Sequence, residues 1–445
     1  MKHAALVLAG LLSMLTGLWL AVQPFAAASA DFAALRDALI QYSGILSIGV
    51  MSVALVRANR PVVIEPFVGG LDKMYRLHKW LGVTALVTTL SHCLLIQVPG
   101  WLIDLGWLAR PAKPVRTMPG DAVFPFFQNQ RGLAKGLGEW AFYSAVVLIV
   151  LALLKWFPYR YFFKVHHLMA VAYLALVFHA LMLMPFSYWA EAIAPWTAAL
   201  MVVGSVAALR ILFNRVGRVG RGRRAVGMVE EVTFHEDLRS LEVAVRLKSC
   251  WRGHDAGQFA LVTFNEKEGP HPFTISSAWT QDGRLRFIVK GLGDYTKLLP
   301  DAVKVGGLVK VEGPYGQFSF SSARKRQIWV SGGIGITPFI ARMKQLALQT
   351  DGKRIDLFHS SAEIDEAVFS QLRLDAEKAH LHLHLLVDGR DSRLTAQGMA
   401  HATPQWRDAD VWFCGPAGFG QSLWRDLHAM GLARGDFHQE LFNLR

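Results

Sequence analysis

The chain has 445 residues, of which 52% are hydrophobic and only 18% charged, with a mean hydropathy of +0.28. Soluble domains carry about 25% charge, so these values argue against a disordered chain, a small disulfide scaffold and one uniform soluble fold. The net charge of +13 invites nucleic acid as a partner, but no nucleic-acid motif is present and the basic residues cluster beside apolar runs, as positive-inside topology requires.

Charge is unevenly spread. Residues 1–213 hold 24 charged side chains, about 11%, and residues 214–445 hold 57, about 25%, the ordinary soluble value. The first part therefore reads as membrane and the second as globular protein. Cys93, Cys250 and Cys414 are too few for a disulfide framework and have no metal-site spacing, so the globular part is expected in the cytosol.

Six apolar runs stand at about 4–24, 38–56, 78–98, 140–156, 164–185 and 192–213, each near the ~20 residues that cross a bilayer. Arg57, Arg60, Lys73 and Arg76 follow the second. Arg160 and Lys164 join the fourth and fifth, and Arg215, Arg218, Arg221, Arg223 and Arg224 follow the sixth. All fall on one side if the N-terminus is cytoplasmic. Residues 1–30 end in Ala-Ala-Ala-Ser-Ala and have the alternative of a cleaved signal peptide. The length of the apolar stretch favours a retained first span. Trp101, Trp107, Phe124, Phe126 and Phe127 mark a long outer loop over 99–138, at the membrane interface.

Four histidines lie inside the spans: His78 and His92 in the third, His166 and His179 in the fifth. One intramembrane histidine is readily a satisfied polar residue, but two on each of two parallel spans are functional candidates. A 14-residue step covers ~21 Å and a 13-residue step ~20 Å. His78 and His166 therefore share the inner level, and His92 and His179 the outer. Two such pairs can hold two haems, each iron between two imidazoles. Fourteen residues return to within ~40° of one helix face, whereas thirteen miss by ~140°. The fifth span must then be irregular, and periodicity does not choose between His166 and His167. Tyr173, midway along that span, is either packing or a residue between the two haem levels.

Residues 225–320 alternate as short strands (226–233, 240–247, 258–264, 284–290, 308–312) and predict a small antiparallel β-barrel. Residues 321–445 change period. Strands at 327–331, 355–359, 381–387 and 410–414 alternate with helices near 337–349, 364–379 and 418–430, the pattern of a parallel α/β sheet. After its first strand comes Gly332-Gly333-Ile334-Gly335-Ile336-Thr337-Pro338. Such a turn lets a phosphate approach free N–H groups at a helix start, although it departs from Gly-x-Gly-x-x-Gly. The fold class is thus an all-α six-helix membrane bundle (1–213), a basic linker (214–224), an antiparallel barrel (225–320) and an α/β nucleotide domain (321–445).

In combination, the paired histidines, His271-Pro272-Phe273-Thr274, Gly313-Pro314-Tyr315-Gly316, Gly333-x-Gly335-x-x-Pro338 and Cys414-Gly415-Pro416 resemble the ferric reductase and NADPH oxidase family, with a soluble half similar to ferredoxin–NADP reductases. The resemblance implies a flavohaem oxidoreductase with FAD, two b-type haems and NADPH or NADH as donor. It assigns His78, His92, His166 and His179 to haem iron. It implies that His271, Pro272, Phe273, Thr274, Ser276 and Ser277 line the flavin, and that Lys290, Gly291, Gly293 and Thr296 meet its pyrophosphate. Gly332, Gly333, Gly335, Thr337 and Pro338 would hold the dinucleotide phosphates, and Ser360 and Ser361 could hydrogen-bond a 2′-phosphate that Glu363 would not welcome. Cys414, Gly415 and Pro416 would border the nicotinamide, with Cys414 and Thr274 close to hydride transfer. Phe442, or else Phe437, would cover the flavin. NADPH-selective relatives often carry an arginine after the second strand of the nucleotide domain. Here stands His359-Ser360-Ser361-Ala362-Glu363, with Arg390 and Arg393 further on, which leaves the choice of dinucleotide open. Electrons are expected to cross from the cytosol to oxygen, a ferric chelate, a quinone or a protein partner outside a bacterial inner membrane. A channel or transporter with a reductase-like module is the reading from another class.

Overall fold

The computed structural model describes residues 2–23, 32–59, 70–108, 123–154, 156–213, 224–249 and 251–440. The basic linker up to Arg223, Cys250 and Phe442 lie outside the described residues. The chain divides into two compact units, one within residues 1–219 and one within 220–444.

In the first unit six helices are long and apolar enough to cross a membrane. They are built from α1 (Lys2–Val22), α2 (Phe32–Ala58), α3 (Leu71–Asp104), α4 (Val123–Leu153), the α5 (Tyr159–Val165) and α6 (Met169–Leu183) pair, and α7 (Ile193–Phe213). Between α5 and α6, His166–Leu168 forms one 3-10 turn. Helix α2 is central: it packs against α1, α3, α6 and α7. Its Ile48, Val50, Met51 and Leu55 meet Leu77, Leu81, Tyr173 and Met201 in one core, while Leu15 and Trp19 of α1 join a second with Ile45 and Ile193. Val87, Leu94, Trp140 and Val147 point out of the bundle, as expected of a surface covered by hydrocarbon rather than water.

The outer segment departs from the expected long loop. Helix α3 runs on to Asp104, and α4 already begins at Val123. Residues 99–104 and 123–138 are thus helical; the Pro99-Gly100 pair and the polar stretch Gln128–Arg131 had ended the apolar runs short of them. Helix α3 passes through Pro99 without stopping. A proline lacks the N–H that would bond the carbonyl four residues back, here that of Leu95. The Arg36 side chain donates to that carbonyl from Nε at 2.9 Å.

The second unit contains two sheets. Strands β1 (Arg224–His235), β2 (Ser240–Leu247), β3 (Phe259–Thr263), β4 (His271–Thr274), β5 (Arg284–Lys290) and β6 (Leu308–Tyr315) form an antiparallel sheet in the order β4-β3-β6-β1-β2-β5. Helix α8 (Asp294–Ala302) follows β5. The expected barrel is corrected here, because the ladder does not close. Its edge strands meet only at one isolated bridge, Ile275 to Phe287, since β4 is four residues long. Burial still alternates along β5, and Val243, Phe287 and Val311 are among the residues of one core.

The other sheet is parallel, in the order β11-β10-β7-β8-β9. Its strands are β7 (Arg326–Gly332), β8 (Arg354–Ser361), β9 (His382–Val387), β10 (Ala409–Cys414) and β11 (Phe437–Glu440). Helices α9 (Thr337–Leu348), α10 (Glu366–Lys378), α11 (Ala396–Ala402) and α12 (Ala417–Ala429) intervene. Apolar clusters cover both faces: Trp329, Phe339 and Leu357 belong to one, Ile328, Phe413 and Leu423 to the other. Long apolar strands are what a doubly covered parallel sheet requires.

Two glycines of this unit test the backbone account. Gly257 has φ +94, and a Cβ there would run into the Phe318 carbonyl oxygen; Gly306 has φ +84 with open space around it. Gly306→Ala should cost about 1 kcal/mol from strain alone, and Gly257→Ala about 2 kcal/mol or more because it adds the clash. Thermal unfolding of the two variants should give that order.

Candidate functional sites: two histidine pairs and a nucleotide cleft

The bundle brings its four span histidines into two pairs. The ring centroids of His78 and His166 lie 6.1 Å apart with planes at 82°, and those of His92 and His179 lie 6.4 Å apart at 80°. Imidazole nitrogens bonded at about 2.0–2.1 Å to opposite sides of one metal ion leave their ring centroids about 6 Å apart. The spacing therefore fits one iron per pair.

Nδ1 of His78 donates to the Ala54 carbonyl at 3.1 Å, and Nδ1 of His92 to the Ile40 carbonyl at 3.0 Å, with the Ser43 hydroxyl at 3.1 Å. Nδ1 of His179 donates to the Ala134 carbonyl at 2.9 Å. A carbonyl only accepts, so the hydrogen sits on Nδ1 and Nε2 keeps its lone pair for a ligand, as in metal-bound histidines. Buried Nδ1 of His166 has no protein partner among the described residues, and its ring lies 4.8 Å from that of Phe162. The 3-10 turn at His166–Leu168 supplies the irregularity that a 13-residue step needs. Such a turn advances about 120° per residue, which recovers about 60° of the mismatch.

Several neighbours of these pairs were invisible in the sequence. A Cβ on Gly138 would collide with the His179 ring, and one on Gly44 would sit 3.4 Å from Cε1 of His92. Arg57, in the sequence only a topology signal, is buried one helical turn beyond Ala54, and its Nη1 has no protein partner among the described residues. A buried cation without an anion is costly. Tyr173 is core: its hydroxyl bonds Ser52 at 2.7 Å and closes against Gly204.

On the antiparallel sheet, His271 starts β4 and stacks on Tyr295, with centroids 4.2 Å apart; burial lowers its pKa to about 4, so the ring is neutral at physiological pH. Thr274 and Ser276 are buried. The Ser276 hydroxyl and the Tyr295 hydroxyl are both buried without a protein partner among the described residues, which fits a polar cofactor against this edge. Pro272 and Phe273 pair with Leu261 and Ala260 of β3. Ser277 Oγ accepts from the Arg286 N–H at 3.2 Å. Thr296 Oγ1 accepts from the N–H groups of Leu292 and Gly293 at 3.0 and 2.9 Å, so it shapes the Gly291–Gly293 turn. Lys290 reaches Glu363, with Nζ to Oε2 at 2.5 Å.

The nucleotide cleft forms where neighbouring β7 and β10 end. Strand order reverses there, with β8 and β9 on one side of β7 and β10 and β11 on the other. That reversal is the crevice in which open α/β sheets bind ligands. Gly333 takes φ +54, and Gly335 lies so close to the Cys414 carbonyl that a Cβ there would collide with it; Gly332 would meet Pro416, and Gly415 would meet Gly332. The close approach explains these small residues. Thr337 starts α9 and its hydroxyl donates to the Ile334 carbonyl at 2.7 Å, with Pro338 in the first turn. Cys414 is fully buried, and burial holds its thiol well above the usual range, hence protonated. Phe437, the second choice for a flavin cover, is half-buried and packs on Phe413 and Trp424. Ser360 ends β8 beside Ser361, whose hydroxyl donates to the Glu363 carbonyl at 2.7 Å.

The described residues thus join two histidine pairs in a bundle of apolar helices to a parallel sheet with a glycine turn at its switch point. Residues 43–177 match the family described as ferric reductase like transmembrane component, and residues 226–320 match the oxidoreductase FAD-binding domain. The heavy chain of the superoxide-generating NADPH oxidase of Dictyostelium discoideum is 25% identical over 313 residues, 62% of this chain and 57% of that protein. A flavohemoprotein of Bordetella pertussis is 25% identical over 244 residues, 50% of this chain and 61% of its own. Among solved structures, the ferredoxin reductase in carbazole 1,9a-dioxygenase is 21% identical, with a TM-score of 0.42 over 49% of this chain and 69% of that one. The chain spans about half the length of the relatives it matches, from 40% to 61%. It carries a ferric-reductase-like transmembrane component and an FAD-binding oxidoreductase domain, and it is a homologue of NADPH oxidase.

His359, beside the cleft, is buried and 2.9 Å from the Ser331 hydroxyl. Burial lowers its pKa to about 4, whereas an unfolded histidine titrates near 6.5. Between these values the unfolded chain binds a proton that the folded chain refuses. Stability is therefore full above about pH 6.5 and falls as pH drops through the window. From pH 7 to pH 5 the loss should be on the order of 2 kcal/mol. The drop in melting temperature between these pH values should be smaller in His359→Gln.

Proposed function

We propose that this protein carries electrons from cytosolic NAD(P)H across the membrane to an acceptor on the outer side, through FAD and two haems. The observation that carries the reading is the pair of ring separations, 6.1 and 6.4 Å, at two depths of one bundle. When bound, FAD accepts a two-electron hydride and releases electrons singly, and haem iron passes them one at a time.

The chain's own residues then have separable tasks. Ala54, Ile40 and Ala134 hold the Nδ1 hydrogens of His78, His92 and His179, which orients each Nε2 toward iron. With an imidazole from each member of a pair on one iron, these residues would leave no protein-free position on the metal, and an acceptor would be reduced without binding it. Arg57 gives the inner level a buried cation for an acidic group of the cofactor. His271, Tyr295 and the Ser276 hydroxyl would hold the flavin, Gly332, Gly333 and Gly335 would admit the dinucleotide phosphates near Cys414, Gly415 and Pro416, and Phe442, outside the described residues, would be the flavin's aromatic neighbour. Oxygen and ferric chelates both suit outer-edge reduction.

Anaerobic addition of the dinucleotide should bleach the flavin and then reduce the haem bands. Single His78→Ala, His92→Ala, His166→Ala and His179→Ala variants should each lose about half of the haem absorbance, and Gly138→Val should match His179→Ala. A purified protein without haem bands, or four variants that keep both haems, would refute the reading. With a ferric chelate as reporter, loss of the signal on adding superoxide dismutase identifies oxygen as the acceptor, and an unchanged signal identifies direct metal reduction.

A further inference from the structure

Electron transfer from NAD(P)H places a dinucleotide's phosphates at the glycine turn after β7 but leaves the donor's identity open. In a sheet of this order, the adenosine half extends from that turn toward the end of the adjoining strand, where an acidic residue takes the ribose 2′-hydroxyl of unphosphorylated dinucleotides. Here that strand is β8, and it ends in Ser360, Ser361, Ala362 and Glu363.

Two of the donors at this edge, the Ser361 hydroxyl and the Lys290 ammonium, are already committed. The Ser361 hydroxyl is committed to its own turn, donating to the Glu363 carbonyl at 2.7 Å and accepting the Glu363 N–H at 3.3 Å. That bond also occupies the amide which would otherwise face an anion. The Lys290 ammonium is 2.5 Å from Glu363 Oε2 and so is already neutralised. The Glu363 side chain is 30% exposed and pairs with Lys290 through Oε2, which leaves Oε1 as an acceptor at the end of this strand. Asp365, two residues on, adds a second carboxylate, held by the Val368 N–H at 3.0 Å and lying 3.6 Å from His235 Nδ1. After β9, Arg390 is paired with Asp391, Nε to Oδ2 at 3.4 Å. An edge of open carboxylate oxygen with its nearest lysine neutralised accepts a hydroxyl and repels a phosphate dianion.

We propose that the physiological donor is NADH, and that Glu363, oriented by Lys290, selects it by accepting the adenosine 2′-hydroxyl and excluding a 2′-phosphate. The inference rests on the electron-transfer function proposed for this chain, and it moves Lys290 from the flavin pyrophosphate to the nicotinamide donor's selectivity.

The test uses the full-length protein in nanodiscs and two ligands that carry no electrons, ADP-ribose and 2′-phospho-ADP-ribose, titrated calorimetrically. ADP-ribose should bind at least about tenfold more tightly, which is a visible difference in Kd. Glu363→Gln should narrow the ratio, and Glu363→Arg should invert it. The kcat/KM ratio for NADH over NADPH should follow the same order. A misfolded variant loses both ligands alike, so the ratio separates selectivity from folding. Tighter binding of the 2′-phosphorylated ligand by the parent protein, or a ratio unchanged in both variants, overturns the proposal while electron transfer stands. If neither ligand binds and neither dinucleotide bleaches the flavin, the electron-transfer reading falls with it.

Discussion

The membrane unit depends on one constraint: a polar ring in hydrocarbon must find its hydrogen-bond partner inside the protein. Helix α2 provides it twice. Its Ala54 and Ile40 carbonyls, 14 residues apart, receive the Nδ1 hydrogens of His78 and His92, also 14 residues apart on antiparallel α3. Each step spans about 21 Å. Equal steps on two antiparallel helices mean that one register satisfies both rings, and sliding either helix by a turn would orphan both donors together. The centrality of α2 in the packing follows from this, since α1, α6 and α7 pack on the helix that fixes the histidines.

The same constraint explains why the fifth span is broken. Its two histidines face pairs at different depths, and an unbroken helix would turn them away from each other. The 3-10 turn at His166–Leu168 sits where the correction is needed. A 3-10 turn has poorer hydrogen bonds than an α-helix, so its place directly at a functional ring is a local cost offset by the geometry of the pair. Gly138 makes the complementary concession on α4, giving up a side chain where the His179 ring passes.

Legibility from sequence followed the range of the interaction. Six spans were visible because each is a contiguous apolar run, and the nucleotide sheet because its strands and helices alternate in the chain. Counting along a helix also placed the histidines at two shared depths, since the rise per residue is fixed. The carbonyls of Ala54, Ile40 and Ala134 were not visible, because every residue carries a carbonyl and only the packed register selects one. The helical start of α4 was hidden because its outer turns hold Gln128, Asn129, Gln130 and Arg131, which no hydropathy pattern recommends. Barrel closure failed for a related reason: five of the six strands were legible, but the four-residue β4 at the sheet edge was not.

Lys290 illustrates what family motifs alone leave ambiguous. Its place in Val289-Lys290-Gly291 suggests a phosphate ligand on the flavin side, and its ammonium also meets a carboxylate from beyond the other sheet, Glu363. The pair is partly exposed, so its worth in stability is small, and stability is not the reason to keep it. What the pair does fix is direction. With Oε2 held by Lys290, the carboxylate has fewer orientations open to it, and a flexible glutamate becomes a more constrained acceptor. Placement of this kind decides specificity more than affinity, because it adds a hydrogen bond for one ligand and a like-charge contact for its phosphorylated twin.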